Sequence, residues 1–359
     1  MATIFLNSHR AKSGVLDGQK LPDDYVLLCK FFDCGIIDRT RSLDIGFDAQ
    51  VLDEIPAFDP GFTATYAEIS RRKGDAIMGE AIERNLRVQV LWSGGIDSTV
   101  ALIALTESRY FAEAKGRVEV LLSMDSINEY PLFFHQFIHG KLNYTFIHPP
   151  ITNHFADDAL IVTGEHGDQL FGSDKLLPMI VNGLAQLNYE DCLPIYATNK
   201  FGDPSTGPRL LRYLEPLIES CPKPIVSAFD LFWWLNLSIK WQQVTLRLPI
   251  FTFQEDVSDL AERFRHFFRE DDFQQWAFHQ HETRPVTRLS DYKAIAKKYI
   301  FSHTGDPDYR NEKSKEPSLK HVIIDRKNQG SSRYRVSMKT DYKPLVETFH
   351  RKFKNQKIS

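Results

Sequence analysis

Short apolar runs alternate with amphipathic stretches through the first half of the chain. The runs expected to form buried strands are residues 87–92, 117–125, 143–150 and the first part of 158–174. The stretches expected to be helical are residues 65–85, 98–111 and 128–142. Strands that alternate with helices at this spacing are typical of βαβ units. The pattern therefore predicts an α/β fold built on a parallel sheet.

The strand signal fades after about residue 175. The later stretches with helix-like apolar and aromatic stripes are residues 228–239, 241–246, 257–268, 272–280 and 290–301. Residues 228–239 are too short and too interrupted to span a bilayer, so we expect a buried helix there. We divide the chain into an N-terminal extension of unknown role (1–64), an α/β core (65–175) and a mostly helical C-terminal region (176–359).

The sequence SGGIDST follows the first predicted strand of the core. Gly94 and Gly95 allow the backbone to approach a ligand closely, because neither residue carries a Cβ. The following helix N-terminus offers N–H groups that favour phosphate, and Ser93, Ser98 and Thr99 add hydroxyl donors. No lysine stands where the GxxxxGK[ST] loop of ATP hydrolases would need one. The segment therefore predicts a different kind of phosphate site.

Each of the two glycine-rich loops carries an aspartate, Asp97 in the first and Asp168 in the sequence GEHGDQLFG. An aspartate next to phosphate is repulsive unless a cation lies between them. Loops that leave the carboxyl ends of parallel strands meet at one crevice. We therefore expect Asp97 and Asp168 to be ligands of one Mg²⁺ ion. The simpler interpretation of either loop is a strand-to-helix turn with a capping side chain.

The segment SGGIDST resembles the SGGxDS signature of the PP-loop ATP pyrophosphatase superfamily, whose fold is called adenine nucleotide alpha hydrolase-like. The segment TGEHGDQLFGSD resembles the GEGxDExFGGY signature of the asparagine synthetase-like branch. The resemblance covers roughly residues 65–320. It implies a PP-loop α/β domain that cleaves ATP to AMP and pyrophosphate while it adenylates a substrate.

The resemblance also implies roles for individual residues. Lys313 or Lys315 would be the catalytic lysine that neutralises charge at the α-phosphate, with Lys315 slightly preferred. The backbone near Ser123 and Met124 would face the adenine. The remaining implied site residues bind the pyrophosphate part of ATP, hold Mg²⁺ or shape the second loop: Ser93, Gly94, Gly95, Asp97, Ser98, Gly164, Glu165 and Asp168.

Three departures from the family pattern change the expected chemistry. Ala2 follows Met1, whereas the family's glutamine-hydrolysing domain needs a cysteine there, so we expect that domain to be missing. The nitrogen source is then free ammonia, an amine or a separate protein. Gln169 stands where an acid usually follows the magnesium aspartate, and it cannot act as a base. Ser173 and Asp174 replace Gly-Tyr, so the acceptor pocket is expected to differ from one for aspartate.

Charge is unevenly spread along this 359-residue chain, although its net charge is only −3. From Tyr309 onward there are 14 of the 44 Lys and Arg residues but only five of the 47 Asp and Glu residues. A basic tail suggests an anionic partner, such as nucleic acid, or a solvated helical surface. The four cysteines show no metal-like spacing. With no apolar leader or membrane segment in the sequence, we expect a cytoplasmic protein without membrane contacts.

Three hypotheses follow from the sequence. The first is an adenylating ligase that activates the carboxylate of a small molecule or peptide and transfers it to ammonia or an amine, with ATP and Mg²⁺. The second is a PP-loop enzyme that modifies nucleic acid and uses the basic tail for backbone contacts. The third is a non-catalytic nucleotide-binding or assembly protein, for which Gln169 is the main support. His166 is the only histidine in a site loop, and a structural role is favoured for the histidines.

Overall fold

The structure is a computed structural model that describes residues 2–148, 151–172, 176–253, 262–279 and 291–313. Its strands are β1 (Val15–Leu16), β2 (Gln19–Lys20), β3 (Arg87–Leu91), β4 (Val118–Leu122), β5 (Asn143–Phe146), β6 (Ala159–Thr163) and β7 (Phe264–His266). Its α-helices are α1 (Ser8–Ser13), α2 (Asp23–Phe32), α3 (Tyr66–Glu83), α4 (Ile96–Thr106), α5 (Phe111–Ala114), α6 (Met124–Glu129), α7 (Pro131–Phe133), α8 (Gly167–Phe171), α9 (Leu176–Val181), α10 (Tyr189–Phe201), α11 (Thr206–Glu219), α12 (Ala228–Ser238), α13 (Trp241–Phe253), α14 (Asp271–His279), α15 (Ala294–Thr304) and α16 (Pro307–Glu312). Short 3₁₀ segments at Lys115–Arg117 and Ile151–His154 and a π segment at Phe134–Ile138 complete these elements.

Five strands form a parallel sheet in the order β5-β4-β3-β6-β7. Every residue of β6 is buried, as are the three central residues of β3. Burial on both faces is what a parallel sheet covered by crossover helices requires. The predicted α/β class and parallel sheet are thus confirmed, and β3 and β6, which precede the two glycine-rich loops, lie side by side.

The fifth strand of the sheet comes from the region that was predicted to be mostly helical. Residues 257–268 were expected to be a helix, but Phe264–His266 forms β7 and pairs with β6, with Ile161 opposite Phe264. Alternating burial along Phe264–His266 is the period-two pattern of a strand. Three residues are too few for that period to stand out in a sequence, so pairing with β6 decides the structure here.

Residues from all three predicted parts of the chain share one hydrophobic core, which extends from Leu6 to Tyr309. Arg39 joins two of the parts through hydrogen bonds. Its guanidinium donates to the backbone oxygens of Asp53, 2.7 Å, and Leu237, 2.8 Å. It also lies 4.6 Å from the ring centroid of Trp241. The first 64 residues are therefore packed into the rest of the fold.

The helices of the described residues include none that is both long and apolar enough to cross a membrane. In the strongly apolar helix α12, every residue except Asp230 is buried inside the protein. Its Asn236 reaches the second glycine-rich loop, where its side-chain N–H donates to the backbone oxygen of Asp168 at 2.9 Å. The apolar stretch at 228–239 is thus a core helix that supports the candidate site.

Replacement of Arg39 by Ala should destabilise the protein by about 3–5 kcal/mol, because it leaves buried acceptors without a donor. Urea unfolding followed by circular dichroism measures this change. The control is Arg41→Ala, which removes an exposed arginine paired with Glu54 and should change stability little. Equal effects of the two substitutions would contradict the role assigned to Arg39.

Candidate functional site

The first glycine-rich loop is braced by its own hydroxyl groups. The backbone N–H of Ser93 donates to Oγ of Ser98 at 3.1 Å, and the two Oγ atoms lie 3.0 Å apart. Gly94 has φ +75°, and a Cβ there would lie 2.7 Å from Cβ of Glu129. Gly95 is the N-cap of α4 and offers no side-chain cap to the helix. No side chain at the N-cap therefore bonds to the first-turn N–H groups of α4, which directly follow the two glycines.

The second glycine-rich loop touches the first because β3 and β6 are neighbours. A Cβ on Gly164 would lie 2.7 Å from the backbone nitrogen of Ser98. A Cβ on Gly167 would lie 2.7 Å from Oδ2 of Asp97 and even closer to its Cγ. Glycine at these two positions thus permits the contact that brings Asp97 and Asp168 together.

Lys293 joins the two carboxylates. Its Nζ lies 2.7 Å from Oδ1 of Asp168 and also forms an ion pair with Oδ2 of Asp97. The Lys293 side chain is only 2% exposed. Burial by itself lowers the pKa of Lys293, but the charges of Asp168 and Asp97 outweigh that effect and hold the pKa above its ordinary value. Lys293 is therefore a charged member of the candidate site.

Lys293 was missed by the sequence reasoning. It lies within the stretch 290–301, which was predicted to be a helix with a hydrophobic stripe. Lys293 instead precedes α15 as its N-cap in the left-handed region, with φ 56°. That conformation is costly for a residue with a Cβ, by roughly 1–3 kcal/mol, and persists where surrounding contacts hold it. No motif in the sequence distinguishes Lys293 from nearby Lys297 and Lys298.

Lys313, one of the two lysines predicted to be catalytic, lies next to the first loop. Its Nζ forms an ion pair with Glu129, the residue that packs against Gly94. The backbone that leads to Lys313 is held near Glu129 by Tyr309. The ring of Tyr309 stacks on that of Tyr130, with centroids 3.9 Å apart. Lys315, the slightly preferred candidate, lies outside the described residues.

The residues expected to face adenine lie at the same edge of the sheet. Ser123 follows β4, the other neighbour of β3, and is the N-cap of α6. Its Oγ accepts a hydrogen bond from the backbone N–H of Ser126 at 3.3 Å. Met124, the next residue, is 60% exposed. The backbone at Ser123 and Met124 is therefore held at the end of β4, although adenine binding there stays a prediction.

Two residues of the second loop have structural contacts. Glu165 is buried and forms an ion pair with Arg247 through two nitrogen–oxygen contacts. Burial raises the pKa of Glu165, and the charge of Arg247 opposes this. The side-chain N–H of Gln169 donates to Asn236 at 3.3 Å. Both contacts order the loop that carries Asp168. Ser173 and Asp174 lie outside the described residues.

Two buried histidines support the second loop, one from within the loop and one from β7. His166 has φ 71° and its Nε2 lies 2.9 Å from Oγ1 of Thr245. His266 of β7 bonds through Nδ1 to Oγ1 of Thr163 at 2.7 Å and through Nε2 to the backbone oxygen of Thr245 at 2.9 Å. Because a carbonyl oxygen only accepts, Nε2 of His266 carries the proton and Nδ1 accepts. The histidines thus support the loop, as a structural role requires.

Asp53, in the N-terminal part of the chain, lies next to the residues that surround His166 and His266. Nε of Arg269 donates to its carboxylate at 2.8 Å, and Nε1 of Trp241 donates at 3.2 Å. Burial alone raises the pKa of Asp53, but the bond and charge of Arg269 outweigh burial and lower it. Thr245, which holds His166, also lies 3.4 Å from this carboxylate. Residues of the predicted extension therefore support the site.

The donor set suits a hard divalent cation that also binds phosphate. Asp97 and Asp168 already converge on one positively charged group, the ammonium of Lys293. Mg²⁺ in proteins is commonly held by one or two carboxylates, with water and substrate phosphates as further ligands. Within the described residues, no group of three or more acidic, histidine or cysteine side chains is placed to hold a metal alone. The two aspartates therefore fit Mg²⁺ bound together with a polyphosphate.

Comparison with known proteins finds no protein-family model and no curated protein that matches this chain.

Replacement of Gly167 by Ala should separate the two loops, since the added Cβ overlaps Asp97. We expect a loss of about 1–3 kcal/mol in the free energy of unfolding, measured by urea denaturation. Gly116→Ala is the matched control, because a Cβ at Gly116 meets nothing within 4 Å. A Gly167→Ala variant as stable as the Gly116→Ala variant would show that the loops do not meet in this way.

Acid should destabilise the protein through His266. Burial, with a smaller effect from Arg269, lowers the pKa of His266 from 6.5 to about 3. Between these values the unfolded chain binds a proton that the folded protein does not, so the free energy of unfolding falls as the pH drops from 6.5 toward 3. The loss is at most about 1.4 kcal/mol for each pH unit.

Urea unfolding at several pH values tests this expectation. His266→Gln should reduce the dependence of unfolding free energy on pH within that window. The control His135→Gln removes an exposed histidine and should leave the pH profile unchanged. An unchanged profile in the His266 variant would contradict the assignment of a buried neutral imidazole.

Proposed function

We propose that this protein is a Mg·ATP-dependent adenylating ligase, an AMP-forming amide-bond synthetase similar to the asparagine synthetase-like branch of the PP-loop superfamily. It activates a carboxylate as an acyl adenylate, releases pyrophosphate and then transfers the acyl group to ammonia or an amine. The proposal rests on the two loop signatures in the sequence and on the geometry of the residues that they contain.

The observation that supports the proposal most is the meeting of Asp97 and Asp168 at one cationic group. These aspartates come from different loops, which follow neighbouring parallel strands. In open α/β sheets, ligands bind in the crevice beyond the carboxyl ends of the strands. A turn that only connected a strand to a helix would not need a second acidic loop pressed against it.

The residues of the first loop would bind the pyrophosphate part of ATP. The N–H groups at the start of α4 and the hydroxyl of Ser93 are suited to phosphate oxygens. Asp97 and Asp168 would hold Mg²⁺, which when bound neutralises phosphate charge. Lys293, which contacts both aspartates, and Lys313, which pairs with Glu129, would stabilise negative charge that develops on the leaving pyrophosphate.

The reaction would proceed in two balanced steps. First, a carboxylate oxygen of the acceptor attacks the α-phosphorus, and the bond to the bridging oxygen of pyrophosphate breaks. Next, the nitrogen of ammonia or an amine attacks the acyl carbon, AMP leaves and the nitrogen loses a proton. The activation step is needed because a carboxylate is a weak electrophile with a very poor leaving group. Gln169 is uncharged and would supply no base for the second step.

The acceptor is proposed to be a small molecule or a peptide with a carboxylate, and the nitrogen donor to be a separate molecule. The alternative of a nucleic acid substrate depends on the basic tail, nearly all of which lies beyond Lys313 and outside the described residues. The described residues therefore favour the adenylating site without adding support for nucleic acid binding. Cytoplasmic location is part of the same proposal.

An exchange assay tests the proposal. The full chain, ATP, Mg²⁺ and labelled pyrophosphate are incubated with panels of carboxylic acids, amino acids and acidic peptides. We expect label to enter ATP only in the presence of the correct carboxylate. Asp97→Asn and Asp168→Asn should each lower the exchange rate by about 100-fold or more, because each weakens the hold on metal and phosphate.

Asp157→Asn is the control, since the side chain of Asp157 is fully exposed and should leave exchange unchanged. Absence of exchange with every class of carboxylate, together with a biological activity that survives Asp97→Asn, would overturn the proposal. Binding of ATP analogue without any exchange would instead identify a non-catalytic nucleotide-binding protein.

A further inference from the structure

The cation position between Asp97 and Asp168 already contains a charge that belongs to the protein. Nζ of Lys293 contacts an oxygen of each carboxylate, so two negative charges face one positive charge. The Lys293 side chain is 2% exposed, whereas that of Asp168 is 35% exposed and that of Asp97 is 20% exposed. The two aspartate side chains are thus partly exposed, while the lysine that pairs with them is buried.

We infer that Lys293 antagonises binding of a free divalent cation to Asp97 and Asp168, and so makes metal binding depend on a polyphosphate that arrives with it. This inference rests on the proposed function, since it concerns the same metal site. It adds a specific role for Lys293: the lysine makes the site selective for the metal–nucleotide complex over the metal alone.

The electrostatic reason follows from the charges in contact. A divalent ion placed between the two aspartates would lie within a few ångströms of the ammonium, and like charges at that distance repel strongly in a poorly solvated place. Lys293 also donates a hydrogen bond to Oδ2 of Asp97 and forms an ion pair with Oδ1 of Asp168, so one oxygen of each carboxylate is already in contact with a cation. A polyphosphate reverses this balance, because its negative charges attract both the metal and the lysine.

Packing on both sides of Lys293 limits movement of its side chain away from the two aspartates. It is the N-cap of α15, a helix that packs against α4 directly behind the first loop. The preceding residue, Tyr292, is buried, and its hydroxyl donates to the backbone oxygen of Gly172 at 3.4 Å. The ammonium is therefore held near the carboxylates by the fold on both sides of Lys293.

Direct titration with Mn²⁺ tests the inference without any catalytic readout. Electron paramagnetic resonance measures free Mn²⁺ in the presence of the full-length, nucleotide-free protein. Lys293→Met, whose unbranched side chain is one atom shorter and uncharged, should bind Mn²⁺ about tenfold more tightly than the unaltered protein, because the competing group is gone. Lys293→Arg, which keeps the charge, should bind as weakly as the unaltered protein.

Lys73→Met is the matched control. Lys73 is also well buried and paired with an acid, Glu270, but it has no role in the proposed site. Its replacement should leave the affinity for free Mn²⁺ unchanged. A folded Lys293→Met variant that binds free Mn²⁺ no more tightly than the unaltered protein would overturn the inference.

The effect of nucleotide on the affinity for Mn²⁺ gives a second measurement. A non-hydrolysable ATP analogue should increase the affinity for Mn²⁺ strongly in the unaltered protein and by a smaller factor in Lys293→Met, because the coupling acts through Lys293. If the Lys293 variant does not fold alone, Mn²⁺ should restore its cooperative thermal unfolding. Failure of Mn²⁺ to do so would also contradict the inference.

The outcomes distinguish this inference from the proposed function. Tighter binding of free Mn²⁺ by Lys293→Met and analogue-dependent Mn²⁺ binding by the unaltered protein, with no pyrophosphate exchange for any carboxylate, would support the role of Lys293 and reject the ligase. Binding of the analogue with Mn²⁺ by the unaltered protein, with no gain for Lys293→Met, would reject the role of Lys293 and leave the ligase standing.

Discussion

The ammonium of Lys293 between Asp97 and Asp168 is the interaction on which the candidate site depends. Two partly buried carboxylates that both contact one ammonium lie close enough to repel each other when that cation is absent. An uncompensated charge in a partly buried site costs several kcal/mol. The ion pairs join three parts of the chain: the loop after β3, the loop after β6 and the start of α15. The other features of the site serve to bring these three parts together.

The sheet supplies the geometry for that meeting. Because β3 and β6 are adjacent and parallel, the loops that leave their carboxyl ends lie on the same side. Glycine at 164 and 167 then allows one loop to lie against Asp97 at a distance that a Cβ would prevent. α4 begins immediately after the first loop with no side-chain cap. The same residues thus fix the backbone of both loops next to the start of α4.

A layer of buried polar groups keeps the second loop in place. His166 and His266 both contact Thr245, and Asp53 lies at the edge of this layer with Arg269. These contacts give a role to the first 64 residues, whose sequence indicated none. Burial keeps both imidazoles neutral, because it lowers the pKa of each. The support for the site is therefore sensitive to acid, although the site itself is built from carboxylates and a lysine.

Local signals in the sequence were enough for the α/β class, for the strands before both loops and for the prediction that Asp97 and Asp168 lie close together. A buried strand is a short apolar run, and a close backbone contact needs glycine. A few neighbouring residues are therefore enough to predict each of these two features. The short strand Phe264–His266 and Lys293 could not be found that way. Their roles come from partners about one hundred or more residues away, and only the packing of the chain brings those partners into contact.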